Sequence, residues 1–205
     1  MANLFPIFVK LEGRKVLVVG AGNIAEQKLD GLVSAGADIC VVAPRASEKI
    51  QQLARDGKIV YASREFVASD LLGATLVIAA TGNPDVNEFV FQEARKQGIL
   101  CNAVDEPQRC DFYYGAVVQR GDLQIAISTN GHSPALAQRI RMQLEQQFGP
   151  TYADWLKWLG HVRQLFFQRS IDPQRRKIAL HKIARSEIYE RFNRAHSLKR
   201  RGNVI

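Results

Sequence analysis

An α/β architecture, in which a doubly wound parallel sheet carries a smaller β unit and helices after it, is predicted by three features of the sequence. Strand-like and helical patterns alternate from Lys15 to Val104, and the strand-like runs are continuously apolar. Near Phe112 the pattern changes, and two β-rich runs follow one another with no helix between them. Continuous apolar runs belong to parallel strands covered by helices on both faces, because a strand with one wet face alternates polar and apolar residues.

Each element has its own signal. KVLVV (15–19) is followed by a helical pattern from about Ala25 to Ala35, and DICVV by a helix around Glu48 to Arg55. KIVYA, a helical turn near Ser69 to Leu72, TLVIAA, a helix from about Asp85 to Gln97 and ILCNAV complete a repeated βα series with short connections. GAVVQRGDLQIAIST then places two β runs about Gln119-Arg120-Gly121-Asp122, a hairpin-turn signal. Ser133-Pro134 supplies an N-cap and an N1 proline, and Leu136, Ile140, Leu144 and Phe148 recur every fourth residue until Gly149 ends the helix. Two more helical segments are expected, one carrying Tyr152, Trp155, Leu156, Leu159 and Phe166, the other starting at Asp172-Pro173. Those aromatic residues read as core or dimer contacts, and the last residues, HSLKRRGNVI, read as frayed.

Composition limits the function classes. The chain has 205 residues, 46% apolar and 23% charged, which is ordinary for a folded globular protein. The apolar stretch in MANLFPIFVKLEGRK is short, cut by Pro6 and followed by charge, so it is neither a signal peptide nor a membrane span. A cytoplasmic protein with no membrane partner is expected. Cys40, Cys101 and Cys110 have no zinc-site spacing and read as buried free thiols, with no metal site.

The net charge of +8 is uneven: residues 1–149 hold 15 Lys/Arg against 16 Asp/Glu, and residues 150–205 hold 13 against 4. A basic tail of this kind is a solvated helix face, or it serves an anionic ligand, a partner or nucleic acid. It carries no nucleic-acid recognition motif, and its charges are mixed with apolar helical positions, so no nucleic-acid partner is expected.

The chemistry-bearing motif lies at the exit of the first strand. Gly20-Ala21-Gly22 and Ala25 form G-x-G-x-x-A where a strand ends and a helix begins, the dinucleotide-binding fingerprint of a Rossmann-type sheet. Gly20 permits a tight turn, and Gly22 lets the backbone approach a pyrophosphate at the positive end of the following helix. The second strand ends Val41-Val42-Ala43-Pro44-Arg45, with no acidic residue for a ribose hydroxyl pair, so Arg45 would tolerate a 2′-phosphate and the choice between NAD and NADP stays open here. Thr81-Gly82-Asn83, after the fourth strand, either borders the cofactor crevice or is an ordinary turn.

LFPIFVKLEGRKVLVVGAGNIAEQK, IAATGNPDVN, CNAVDEP and LQIAISTNGHSPALAQRIR together resemble the precorrin-2 dehydrogenase/sirohydrochlorin ferrochelatase family, whose members also form the N-terminal module of siroheme synthases. The resemblance spans residues 4 to about 148, and N-x-V-D with S-P-x-L-A is its most specific part. It implies an NAD-binding Rossmann domain, then a dimerisation region, then a helical domain, in a homodimer, in agreement with the bounds the sequence patterns set at 1–112, 113–149 (hairpin plus helix) and 150–205 (basic helices). The implied reaction is oxidation of precorrin-2 to sirohydrochlorin with NAD as hydride acceptor, and it leaves open whether the chain also inserts Fe²⁺. In 205 residues no room is expected for a methyltransferase module.

Position by position, the resemblance puts the NAD contacts on Gly20, Gly22, Asn23, Ile24, Pro44 and Arg45, beside the Thr81 and Gly82 loop, and the catalytic carboxylate on Asp105. The family's dimerisation-loop serine aligns with Thr129, beside Ser128, and these two with His132 are the candidate substrate contacts. Asp105 has an alternative as a loop aspartate capping backbone N–H groups before Pro107, and His132 as a loop histidine bonded to nearby backbone. A Rossmann module that senses a nucleotide without catalysis is the other function class; it would have no use for Asp105, and turnover of a tetrapyrrole separates the two.

Overall fold

The computed structural model describes residues 4–169 and 171–202. Two compact units divide the chain, one running from Phe5 to Tyr114 and the other from Gly115 onward.

The first unit is a five-stranded parallel sheet in the order β3-β2-β1-β4-β5, made of β1 (Lys15–Val19), β2 (Asp38–Val42), β3 (Val60–Ala62), β4 (Leu76–Ala79) and β5 (Leu100–Ala103). Helices α1 (Asn23–Ser34), α2 (Glu48–Arg55) and α3 (Pro84–Lys96) connect the strands, with a 3₁₀ turn at Ala68–Leu71 before β4. The doubly wound parallel sheet expected from the apolar runs is the observed one.

Alternation along each strand explains why the runs are apolar throughout. Val16 and Val18 of β1 join Leu29 and Leu32 of α1 and Ile50 of α2 on one face, while Leu17 and Val19 join Val90, Phe91 and Ala94 of α3 on the other. All four of these β1 residues are buried. At about 25 cal/mol per Å² of apolar area, such two-sided burial dominates the stability of the unit.

The structure departs from sequence expectation at several ends. The KIVYA strand shrinks to Val60–Ala62, because β3 is an edge strand paired only with β2 and leaves Val60 67% exposed. Helix α1 starts at Asn23, two residues before Ala25. Of the three cysteines, Cys101 is buried, whereas Cys40 and Cys110 are half-buried.

The second unit opens with an antiparallel hairpin, β6 (Ala116–Arg120) and β7 (Leu123–Ile127), followed by α4 (Pro134–Gln147). Beyond α4, three helices replace the two expected: α5 (Thr151–Gln168), α6 (Pro173–Ile183) and α7 (Ser186–Gly202). The break at Ala184–Arg185 lets Tyr189 of α7 stack on Tyr152 and Trp155 of α5, with ring centroids 4.1 and 5.0 Å apart. Phe192 meets Trp158 at 5.9 Å in the same way. Docked through these rings, α7 continues to Gly202 where the sequence suggests fraying; residues 203–205 lie outside the described residues.

The turn before β4 is held by charge. The Asp70 carboxylate accepts from Arg64 Nη2 at 2.6 Å, Arg64 Nη1 at 2.8 Å and the Val67 N–H at 3.0 Å. Lys15 Nζ donates to the Asp70 and Leu72 carbonyls, each at 2.8 Å, and fastens the turn to β1. The Arg64 hydrogen bonds hold the Asp70 carboxyl below its ordinary value, against a smaller opposing effect of burial. A depressed carboxylate contributes stability above the unfolded-state value of 3.8 and loses it as pH falls through the lower folded value. Asp70→Asn is expected to lower Tm at pH 7, and the melting curves of variant and parent should converge as pH is taken below 3.8.

Candidate active site

The strand order reverses between β1 and β4, so the chain leaves these neighbours toward opposite faces and a crevice opens at their carboxyl ends. Gly20 sits at that point. Its N–H donates to the Val42 carbonyl at 2.9 Å, and its φ is +105°. A Cβ there would lie 2.3 Å from the Ala80 oxygen and 2.6 Å from the Ala80 carbonyl carbon, so the packed backbones of the two exits exclude any side chain.

Gly22 is a different case. Its φ is −94°, open to any residue, and a Cβ there would meet nothing within 4 Å. Nothing in the folded chain requires a glycine at this position, whereas a ligand approaching the backbone would. Gly22 is also the N-cap of α1 and offers no side-chain hydrogen bond, while Ser47 caps α2 and Asn83 caps α3. The first turn of α1, with Asn23 and the 41% exposed Ile24, thus presents N–H groups without a side-chain acceptor beside open space. These residues fit a dinucleotide pyrophosphate.

The β2 exit borders the same turn, because the Ser47 N–H donates to the Ala21 carbonyl at 3.1 Å. A groove of about 640 Å³ opens there, lined in part by Pro44, Arg45, Arg55, Tyr61 and Ser63, with no carboxylate in its lining. At the β4 exit, Thr81 Oγ1 lies 2.7 Å from Asn87 Oδ1. Asn87 is only 4% exposed, and its Nδ2 donates to the Thr81 carbonyl at 3.3 Å and to Glu106 Oε1 at 3.2 Å. Glu106 and Glu88 both pair with Arg109. A buried amide therefore ties the Thr81 loop to the loop after β5, and Gly82 beside it faces open space. Asn87 belongs to no motif, and its one sequence signal is a polar residue in the buried stripe 87, 90, 91, 94 of α3.

Asp105 follows β5 on the same edge. The Val104 N–H still donates to the Ala79 carbonyl at 2.9 Å, and Asp105 then turns left-handed with φ +63°. Aspartate tolerates this region better than most residues, and such conformations cluster at functional sites at a cost of order 1–3 kcal/mol. Its side chain is exposed. The Asp105 charge acts on Lys28 of α1, and the Tyr114 ring centroid lies 4.1 Å from Lys28 Nζ; no motif in the sequence marks either residue. Burial pushes the Tyr114 hydroxyl up from its ordinary value.

Ser128, Thr129 and His132 lie in the second unit, in the turn between β7 and α4. Ser128 Oγ accepts from the Asn130 N–H at 3.1 Å, and Thr129 Oγ1 from the Ser133 N–H at 3.2 Å. Each hydroxyl keeps its own proton to donate. His132 is exposed and its backbone N–H donates to the Thr129 carbonyl at 2.9 Å. Among the described residues no group of three or more His, Cys, Asp or Glu could hold a metal ion, and no helix is long and apolar enough to cross a membrane.

Residues 7–116 match a family model described as NAD(P)-binding, and residues 120–147 match one for the central region of sirohaem biosynthesis proteins. The solved structure of SirC, a precorrin-2 dehydrogenase, superposes with a TM-score of 0.80 at 30% identity, covering 90% of this chain and 92% of that one. The chain belongs to the precorrin-2 dehydrogenase family.

Siroheme synthases are further relatives in the family. The protein from Actinobacillus pleuropneumoniae is 35% identical over 96% of this chain, and that from Nitrosococcus oceani 36% over 91%. In each case the match takes up 40% of the relative's length. The cofactor of this fold is a nicotinamide dinucleotide.

The two glycines of the family's turn should separate on mutation. Gly20→Ala is expected to destabilise the chain by about 1–3 kcal/mol through the Ala80 contact and the φ of +105° together, with no ligand present, read by denaturant unfolding. Gly22→Asp should keep or raise Tm, since aspartate is a good N-cap, while calorimetry shows dinucleotide binding lost.

Proposed function

We propose that the chain oxidises precorrin-2 to sirohydrochlorin with NAD as hydride acceptor, a step in siroheme biosynthesis. The observation that carries this reading is the convergence, on one edge of one sheet, of an open uncapped glycine turn and an exposed left-handed carboxylate, Asp105.

In this reading Gly22, Asn23 and Ile24 hold the pyrophosphate through backbone N–H groups, Pro44 and Arg45 border the adenosine ribose, and Thr81 with Gly82 border the nicotinamide end. Bound NAD supplies a two-electron acceptor that takes one hydrogen from the substrate as hydride. Asp105 accepts the second hydrogen as a proton on a carboxylate oxygen, and a carbon–carbon double bond forms in the substrate. The family resemblance leaves open whether the chain goes on to insert iron into the product, a reaction in which Fe²⁺ would be a substrate.

The substrate class is a tetrapyrrole with eight carboxylates, which suits the basic second unit. Arg163 and Arg176 lie 5.5 and 3.9 Å from the Phe167 ring, two guanidiniums on one aromatic platform. Arg175 and Lys182 add charge on α6. Ser128, Thr129 and His132 are proposed substrate contacts, the two hydroxyls as donors. We place the enzyme in the cytoplasm, where its free thiols are stable, and assign it as a homodimer. A two-stranded hairpin cannot bury both of its faces, and Val117, Leu136 and Met142 are each more than 40% exposed on the hairpin and α4.

Asp105→Asn keeps shape and removes the base. Steady-state rates at saturating substrate should fall about 10²- to 10⁴-fold, with NAD affinity and Tm near those of the parent; a rate within a few-fold of the parent would remove Asp105 from the reaction. The β2 exit gives a second prediction. With Arg45 and Arg55 on its groove and no carboxylate, NADP should bind within about tenfold of NAD, and Arg45→Ala should weaken NADP more than NAD in calorimetric titrations.

A further inference from the structure

We propose that Lys28 is a substrate-binding residue, its ammonium anchoring one carboxylate of the anionic tetrapyrrole so that the reacting carbon is held against Asp105. This rests on the function proposed above.

Lys28 stands on the flank of the buried stripe of α1, three residues after Ala25 and next to Leu29, both fully buried. Its stem is half-buried, and its Nζ lies 4.1 Å from the centroid of Tyr114, whose ring in turn lies 5.8 Å from that of Phe112. An ammonium has three N–H donors, and a ring face offers them charge stabilisation without a lone pair. Among the described residues Lys28 makes no hydrogen bond and no ion pair within 4 Å. Lys15, another half-buried lysine of the same unit, donates to two carbonyls at 2.8 Å.

The Asp105 carboxylate acts on Lys28 electrostatically without closing to ion-pair distance, which leaves the ammonium and the carboxylate as separate groups at one site. Burial lowers the Lys28 pKa from its ordinary 10.5, and the Asp105 charge offsets only part of that. A cation taken partly out of water, with idle donors, gains by receiving an anion. The pyrophosphate is not that anion in this geometry, because the first-turn N–H groups at Gly22 take it and Lys28 lies in the second turn. A carboxylate of the substrate is.

The two ligands separate the outcomes. For Lys28→Met and Lys28→Gln, steady-state kinetics with precorrin-2 at saturating NAD should show KM raised about 10- to 100-fold, as expected for loss of a charge-assisted hydrogen bond. Lys28→Arg should return most of that loss. NAD affinity, measured by calorimetry without substrate, should stay within about twofold of the parent, and KM of the neutral variants should depend less on salt. A folded neutral variant whose KM stays within about threefold of the parent would overturn the assignment, and so would NAD affinity falling in step with KM, which would place Lys28 on the cofactor. A parent chain that does not turn over precorrin-2 would overturn the functional reading and this assignment with it.

Discussion

The packing of two backbones, the Gly20 turn against the Ala80 carbonyl, is the constraint on which the site depends. Parallel pairing of β1 with β4 puts the exits of the two strands side by side, and the connections depart to opposite faces. The exits can lie that close only because Gly20 has no side chain and adopts φ +105°. The same contact sets the Gly22 turn next to Thr81, and the Val104 to Ala79 hydrogen bond carries Asp105 to the same edge.

Upon that frame the polar groups divide into builders and idle groups. Asn87, Glu106, Arg109 and Glu88 satisfy one another and fix the loops after β4 and β5. Gly22, Asp105 and Lys28 do none of this work: one faces open space, one holds a strained backbone and an exposed carboxylate, and one keeps an ammonium over a ring. Folding alone accounts for the first group. In the function proposed above, a dinucleotide and an anionic substrate account for the second.

Legibility in the sequence followed the same division. Strands β1, β2, β4 and β5 were readable because burial on both faces leaves an unbroken apolar run, and the edge strand β3 was overextended because its end faces water. The apolar pattern puts the start of α1 two residues late, since a glycine N-cap carries none of the Ser, Asp or Asn signal that marks α2 and α3. The break between α6 and α7 is not legible in the sequence, because ring stacking of Tyr189 on α5, a tertiary contact, decides it. In the site, the glycine turn and Asp105 were visible as local patterns. Lys28 and Tyr114 were not: they stand 86 positions apart, and only the fold sets the ammonium on the ring.

A structure of the chain with NAD bound tests the central claim most directly. The account predicts the pyrophosphate over Gly22, within hydrogen-bond reach of the Asn23 and Ile24 N–H groups, with the nicotinamide toward Thr81 and Asp105. A dinucleotide seated elsewhere, with the Gly22 turn still open to solvent, would contradict it.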